Sequence, residues 1–249
     1  MRVAAIYDIH GNLPALEAVL DEIRASGVDL IVVGGDVLPG PMPVETLECL
    51  RGLKPPAQFI RGNGEAAVLA QLAGVEGGTL PEQAREAVRW TAQQLHPEHV
   101  NWLASWPETC SVEVRGLGRA LFCHATPRND SEIFTRWTPE EILLPVFREA
   151  GAPVVVCGHT HMQFDRRVGR TRVVNAGSVG MPFGEGGADW LLLGSDVQLR
   201  HTSYDFRRAA DRIRGTAYPQ AQEFAERNVL CPPSEDEMLK LFARAELKS

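Results

Sequence analysis

The stretch Val154-Val155-Val156-Cys157-Gly158-His159-Thr160-His161-Met162-Gln163 constrains this chain more tightly than any other. Three valines and a cysteine make an apolar run of strand length, and the run breaks at Gly158 into two histidines one residue apart. In an extended chain residues i and i+2 point the same way, so both imidazoles can address one centre, and neutral imidazole is the commonest protein ligand for transition metals. A His-x-His pair also arises by chance on surfaces. Its meaning depends on whether other strands end in groups of the same chemistry.

They do. Val3 to Tyr7 is apolar and stops at Asp8-Ile9-His10-Gly11-Asn12; a helical pattern follows from Leu13 to Ala25, with Pro14 in its first turn. Leu30 to Val33 stops at Gly34-Gly35-Asp36 before a helix around Val44 to Leu50, and Ala57 to Ile60 stops at Arg61-Gly62-Asn63-Gly64 before a helix over Glu65 to Leu72. Three successive βα units imply a parallel or mixed sheet with helices on its faces. Beyond a glycine-rich loop at 74–80, residues 81–105 read as two lid or packing helices, the second opening after Pro97. Val112 to Val114 and Ala120 to Cys123 are short strands, the latter ending at His124; Pro139 to Ala150 is an amphipathic helix. Thr171 to Val174 ends at Asn175, and 188–204 reads as a hairpin about Gly194-Ser195-Asp196. Helices are expected at 205–214, 218–228 and 234–246. With no repeat and no long linker, one domain is expected over 1–249, a core of 1–204 and a helical extension of 205–249.

Composition narrows the function. The chain has 249 residues, 44% hydrophobic and 23% charged, near globular averages. A net charge of −7 argues against binding duplex nucleic acid, which needs a basic face. The N-terminal apolar run is too short for a signal peptide and nothing approaches a membrane span, so a cytoplasmic location is expected. Cys49, Cys110, Cys123, Cys157 and Cys231 are odd in number and lack C-x-x-C spacing, and are expected to be reduced thiols.

Six strands thus end in Asp8/His10, Asp36, Asn63, His124, His159/His161 and Asn175. Sites in open α/β sheets lie outside the carboxyl ends of strands, so these groups could converge. Carboxylates, an amide and imidazoles without thiolate suit a pair of divalent first-row metals, Mn, Fe, Co, Ni or Zn, and two such cations need a bridging carboxylate between them. Singly, each has another explanation: Asp8 and Asp36 could cap helices, Asn63 could fill a left-handed turn, and His124 could be a core histidine. His96, His99 and His201 read as solvated.

The ordered set Asp8-Ile9-His10-Gly11-Asn12, Gly35-Asp36, Gly62-Asn63, His124 and Gly158-His159-Thr160-His161 resembles the calcineurin-like metallophosphoesterase superfamily. Asn175-Ala176-Gly177-Ser178-Val179-Gly180 resembles the N-P-G-S-V-G element of its small bacterial and archaeal phosphodiesterase branch, with alanine for proline. The resemblance implies an α/β fold, a two-sheet β-sandwich flanked by helices. It implies Asp8, His10 and His161 on one metal, Asn63, His124 and His159 on the other, Asp36 bridging, and manganese as the leading metal. The implied reaction is in-line attack of metal-bound hydroxide on phosphorus without a covalent enzyme intermediate, with Asp36, Asn63 and His124 as catalytic groups. Asn12 and Asn63 are the expected substrate-binding amides.

One position departs from the family. Many members carry histidine directly after the G-N asparagine, where it is thought to protonate the leaving group; here that residue is Gly64. Glu65 follows, and could act as an acid only with a raised pKa. Arg128, four residues past His124, could clamp a phosphate or a carboxylate, or pair with Asp130 or Glu132. Met181-Pro182-Phe183 could wall a base or aromatic leaving group, or pack as a plain loop. The expected activity is hydrolysis of a small nucleotide-like or cyclic phosphodiester. The alternatives are a phosphomonoesterase or dinucleoside polyphosphate hydrolase of the same superfamily, and a non-catalytic scaffold of that fold.

Overall fold

The computed structural model describes residues 1–75 and 80–247, so residues 76–79 of the expected glycine-rich loop lie outside the described residues. The first sheet is built from β1 (Val3–Ile6), β2 (Leu30–Val33), β3 (Ala57–Phe59), β9 (Ala188–Leu193) and β10 (Val197–Thr202), in the order β10-β9-β1-β2-β3. The second holds β4 (Thr109–Val114), β5 (Gly118–Cys123), β6 (Val154–Cys157), β7 (Phe164–Val168) and β8 (Thr171–Asn175), in the order β4-β5-β6-β8-β7. Both sheets are mixed: β1, β2 and β3 run parallel, as do β5, β6 and β8, and the remaining pairings are antiparallel.

The alternation of side chains across each strand explains how the sheets stack. Val3, Ala5 and Tyr7 of the first sheet meet Phe122, Val156 and Val174 of the second in one core. Ala4 and Ile6 point the other way, onto Leu16, Val19 and Ile23 of α1 (Leu13–Ala25). On the far side Val155, Cys157 and Val173 pack beneath Phe147 and Leu143 of α6 (Glu140–Arg148). β1 and β6 are therefore covered on both faces, which is why VAAI and VVVC are unbroken apolar runs. The fold is a two-sheet sandwich with helices outside each sheet.

α2 (Pro43–Arg51), α3 (Asn63–Leu72), α4 (Glu82–Gln94) and α5 (Pro97–Ala104) follow the sequence expectation closely. Beyond the sandwich come α7 (Phe206–Arg214), α8 (Ala221–Phe224) continuing into a π-helical turn at Ala225–Leu230, and α9 (Glu235–Phe242). Ile213, Phe224 and Val229 share the core that holds α1. The unanticipated element is β7, whose sequence FDRRV is mostly charged. It lies at a sheet edge, buries only Phe164 and Val168 from alternate positions, and exposes Asp165 and Arg167.

Candidate metal centre

The strand ends meet at one end of the sandwich. Asp8 and His10 follow β1, Asp36 follows β2, Asn63 opens α3, His124 follows β5, and His159 and His161 follow β6. The chain enters this cluster on a rare backbone. Asp8 (φ 53°), His10 (48°), Asp36 (51°), His159 (67°) and His161 (58°) are the only non-glycine residues with positive φ among the described residues. Such a backbone costs about 1–2 kcal/mol for each L-residue. It is held by loop hydrogen bonds: Asp8 N–H to Gly35 O (3.1 Å), His10 N–H to Asp36 O (3.0 Å) and Gly11 N–H to Val37 O (2.8 Å). The same-side geometry of an extended His-x-His therefore does not apply, because both histidines have left the strand and turn into different groups.

Those groups are Asp8, His10 and His161 on one side and Asp36, His124 and His159 on the other, the offered ligand atoms of each lying within 4.8 Å of one another. His10 Nε2 is 3.2 Å from His161 Nε2, and His161 Nε2 is 3.3 Å from Asp8 Oδ1. His124 Nε2 is 3.4 Å from Asp36 Oδ1, while Asp36 Oδ2 lies 3.9 Å from His10 Nε2. Asp36 thus turns one oxygen to each group. Two donors each ~2.1 Å from a shared ion stand ~3–3.4 Å apart, so these spacings fit a divalent metal in each group. Asp8 Oδ1 and His124 Nε2 within these groups, and Asn63 Oδ1 at the start of α3, are buried without a hydrogen-bond partner, a need that a bound ion would meet.

Surrounding groups aim the donors. His124 Nδ1 pairs with Gly34 O at 3.0 Å and His161 Nδ1 with Met181 O at 2.9 Å. A carbonyl there takes up Nδ1–H and turns Nε2 into the cluster. Asp8 Oδ2 accepts the His159 N–H at 2.8 Å, joining the two groups through one carboxylate. Electrostatics point to a demand for positive charge. Burial opposes charge on His124, yet Asp36 and Asp8 outweigh it and push its pKa up to about 10, the mark of a site that draws positive charge. His159 is pushed down to about 4 by burial and the neighbouring His124, which keeps it neutral and able to ligate.

The structure separates the other expected site residues from this cluster. Asn12 is fully buried: its amide N–H bonds Gly180 O at 2.9 Å and its carbonyl accepts from Ala15 N–H at 3.3 Å at the start of α1. It is a cap and loop tie, with no donor facing a substrate. Arg128 places its guanidinium on Glu132, with bonds of 2.8 to 3.2 Å, beside a polar cavity of about 170 Å³ that also touches His124. Asn175 bonds Gly158 O at 2.7 Å and Thr160 Oγ1 at 3.1 Å, so it braces the His159–His161 turn instead of ligating. His99 is buried on Glu48 at 2.7 Å, not solvated, whereas His201 is exposed and bonds Asp189 at 2.8 Å.

Gly64 has a steric explanation. A Cβ at this position would collide with the Leu38 carbonyl oxygen and stand 2.9 Å from Asp36 Oδ1, while its N–H donates to Asp36 Oδ1 at 2.7 Å. The Leu38 backbone occupies the space that a side chain at position 64 would need. Glu65 does not replace it. Its carboxylate, raised to about 7 by burial and by Asp36, accepts N–H groups from Asp36, Leu38 and Gly62, each at 2.9 Å. It organises the loops after β2 and β3 from behind the cluster.

A sandwich with a two-group cluster of carboxylates and imidazoles at its strand ends defines a metal-dependent phosphoesterase scaffold. The chain belongs to the calcineurin-like phosphoesterase superfamily, whose domain model matches residues 1–195, and it is a metallophosphoesterase of this divalent-metal-dependent family. It is 27% identical over 206 residues to phosphodiesterase YfcE of Escherichia coli K12, covering 79% of this chain and 89% of that protein. A metallophosphoesterase from Sphaerobacter thermophilus superposes with a TM-score of 0.72 at 28% identity, over 91% of this chain and 97% of the other. The hypothetical protein PH1004 from Pyrococcus horikoshii shares the fold with a TM-score of 0.80 at 21% identity, covering 94% and 99% of the two chains. Among the described residues no helix is long and apolar enough to cross a membrane.

Proposed function

We propose that this metallophosphoesterase hydrolyses a small phosphodiester at a two-metal centre. Asp8, His10 and His161 would hold one ion, Asn63, His124 and His159 the other, and Asp36 would bridge both, with manganese the leading candidate. When bound, such ions supply Lewis-acid stabilisation of the phosphoryl oxygens and a water deprotonated near neutral pH. The chain supplies position. Asn63 can present Oδ1 to a metal and its amide N–H to a phosphoryl oxygen, and Asp36 is held by the Gly64 N–H with one oxygen toward each group. His124 and His161 are locked by backbone carbonyls with Nε2 inward.

The observation that carries this reading is the adjoining pair of donor groups, Asp8, His10 and His161 beside Asp36, His124 and His159, within which Asp8 Oδ1 and His124 Nε2 are buried and partnerless. Preference for a diester is supported by the blocked position at Gly64, which leaves no side-chain acid there, and by the likeness to a protein named a phosphodiesterase. A complete ligand set weighs against a scaffold role. The test is a metal-replete assay of bis-p-nitrophenyl phosphate against p-nitrophenyl phosphate, with Asp36→Asn as the control. Faster turnover of the diester is expected. Preference for the monoester would replace this reading with a phosphomonoesterase, and inertness toward both would favour the scaffold.

A further inference from the structure

A cavity opens at His10 and leads away from the metal cluster. A cleft of about 460 Å³ starts at His10 and runs between α4, the Met181–Phe183 loop and the C-terminal helices. Its walls are apolar: Ala84, Met181, Phe183, Phe224, Met238 and Leu241. Charge is confined to Glu223 and Arg227, which stand 3.8 Å apart and are well exposed. The π-helical turn Ala225–Leu230 carries Arg227 and Asn228 to the cleft, and such turns are often found at functional sites. Phe183 links cleft and cluster directly, its ring stacked on His161 at 5.4 Å and 25°. Half of this cleft lies outside the matched family domain, since Tyr218 to Leu241 follow residue 195.

We infer that this cleft is the recognition pocket for the organic group of the substrate, and that the group is a planar aromatic or heteroaromatic one of about nucleoside size. The inference rests on the phosphoesterase reading, because a phosphoryl group at His10 and Asp36 directs an ester substituent into the space that begins at His10. The volume falls in the ~300–1,000 Å³ range of small-ligand pockets. Phenylalanine rings and methionine thioethers facing one space favour a flat π-system over an alkyl chain. A folded partner would need ~800 Å² of matching surface, far more than the wall of such a cleft offers.

The test uses the metal-loaded full chain and p-nitrophenyl diesters whose second group is methyl, octyl, naphthyl or thymidine-5′-yl. Naphthyl and thymidinyl esters should exceed methyl in kcat/KM by about tenfold or more, mainly through KM. Ala84→Trp, which fills the cleft, and Leu241→Asp, a half-exposed change that spares folding, should each cut that ratio severalfold. Titration calorimetry with naphthyl phosphonate and methyl phosphonate should give the same ranking without turnover. Equal ratios in wild type and both variants would overturn the pocket, and an octyl ester outperforming naphthyl would overturn its aromatic preference. If no ester is hydrolysed but naphthyl phosphonate binds and Leu241→Asp weakens it, the phosphoesterase reading fails while the pocket stands.

Discussion

The metal cluster and the cleft beside it share His10 but are built by opposite means. In the cluster, position is set by backbone: five left-handed residues and carbonyl-locked imidazoles leave each donor one place to be. In the cleft, position is set by packing of side chains from segments as distant as Pro39 and Leu241, with few directional bonds. A site held by backbone tolerates almost no substitution, whereas one held by apolar packing can change shape while the fold persists. Losses in the cluster should therefore fall on turnover and metal content, and losses in the cleft on affinity and choice of substrate.

The largest effect should come from Asp36→Asn. It removes one of the two carboxylate charges that draw cations to the cluster, the one that turns a separate oxygen to each group. Activity should fall by at least about a hundredfold, with fewer metal ions per chain by elemental analysis. Full metal content with normal kcat would break the comparison at its stronger end. Next is Gly64→Ala, on the backbone side of the cluster. The added methyl meets the Leu38 carbonyl, so the loop must shift, and destabilisation of about 1–3 kcal/mol is expected in thermal or urea melts. Unchanged stability would show that the loop gives way freely and that a histidine could have been housed there.

Arg128→Ala should do less. Its guanidinium is taken up by Glu132 on an exposed loop, and such pairs are worth ~1 kcal/mol or less. Kinetic parameters within about threefold of wild type are expected, and a tenfold rise in KM would restore the phosphate-clamp role.

The contrast also explains what was legible in the sequence. Each ligand follows an apolar run and a break, so the order of Asp8, His10, Asp36, Asn63, His124, His159 and His161 could be read without coordinates. The left-handed backbone that splits His159 from His161 could not, because it is imposed by hydrogen bonds to other loops, Asp8 Oδ2 among them. Asn12 sits inside the motif yet faces Gly180, a loop 168 residues away. β7 escaped notice because only two of its five residues face the core. The cleft has no periodic signature at all: Ala84, Met181 and Met238 become neighbours only when the C-terminal helices pack onto the sandwich.

The smallest effect lies away from both regions, in the β9–β10 hairpin, where His201 Nδ1 bonds Asp189 Oδ1 across paired strands. The hydrogen bond to Asp189 raises the His201 pKa above its ordinary ~6.5, against a smaller opposing contribution from burial. Burial pushes Asp189 up as well, and a group raised in the folded state acts with the same sign as the histidine. A group whose folded pKa is raised stabilises fully below its unfolded pKa and loses that contribution as pH rises through the folded value. Wild type should therefore exceed His201→Gln in melting temperature most clearly near pH 6, with the gap narrowing toward pH 9. Turnover of the preferred ester should not change between the two proteins, because neither partner reaches the cluster or the cleft. A gap independent of pH would show that the pair contributes as a neutral hydrogen bond, and a change in turnover would show that the hairpin is coupled to the metal centre through β1, its neighbour in the sheet.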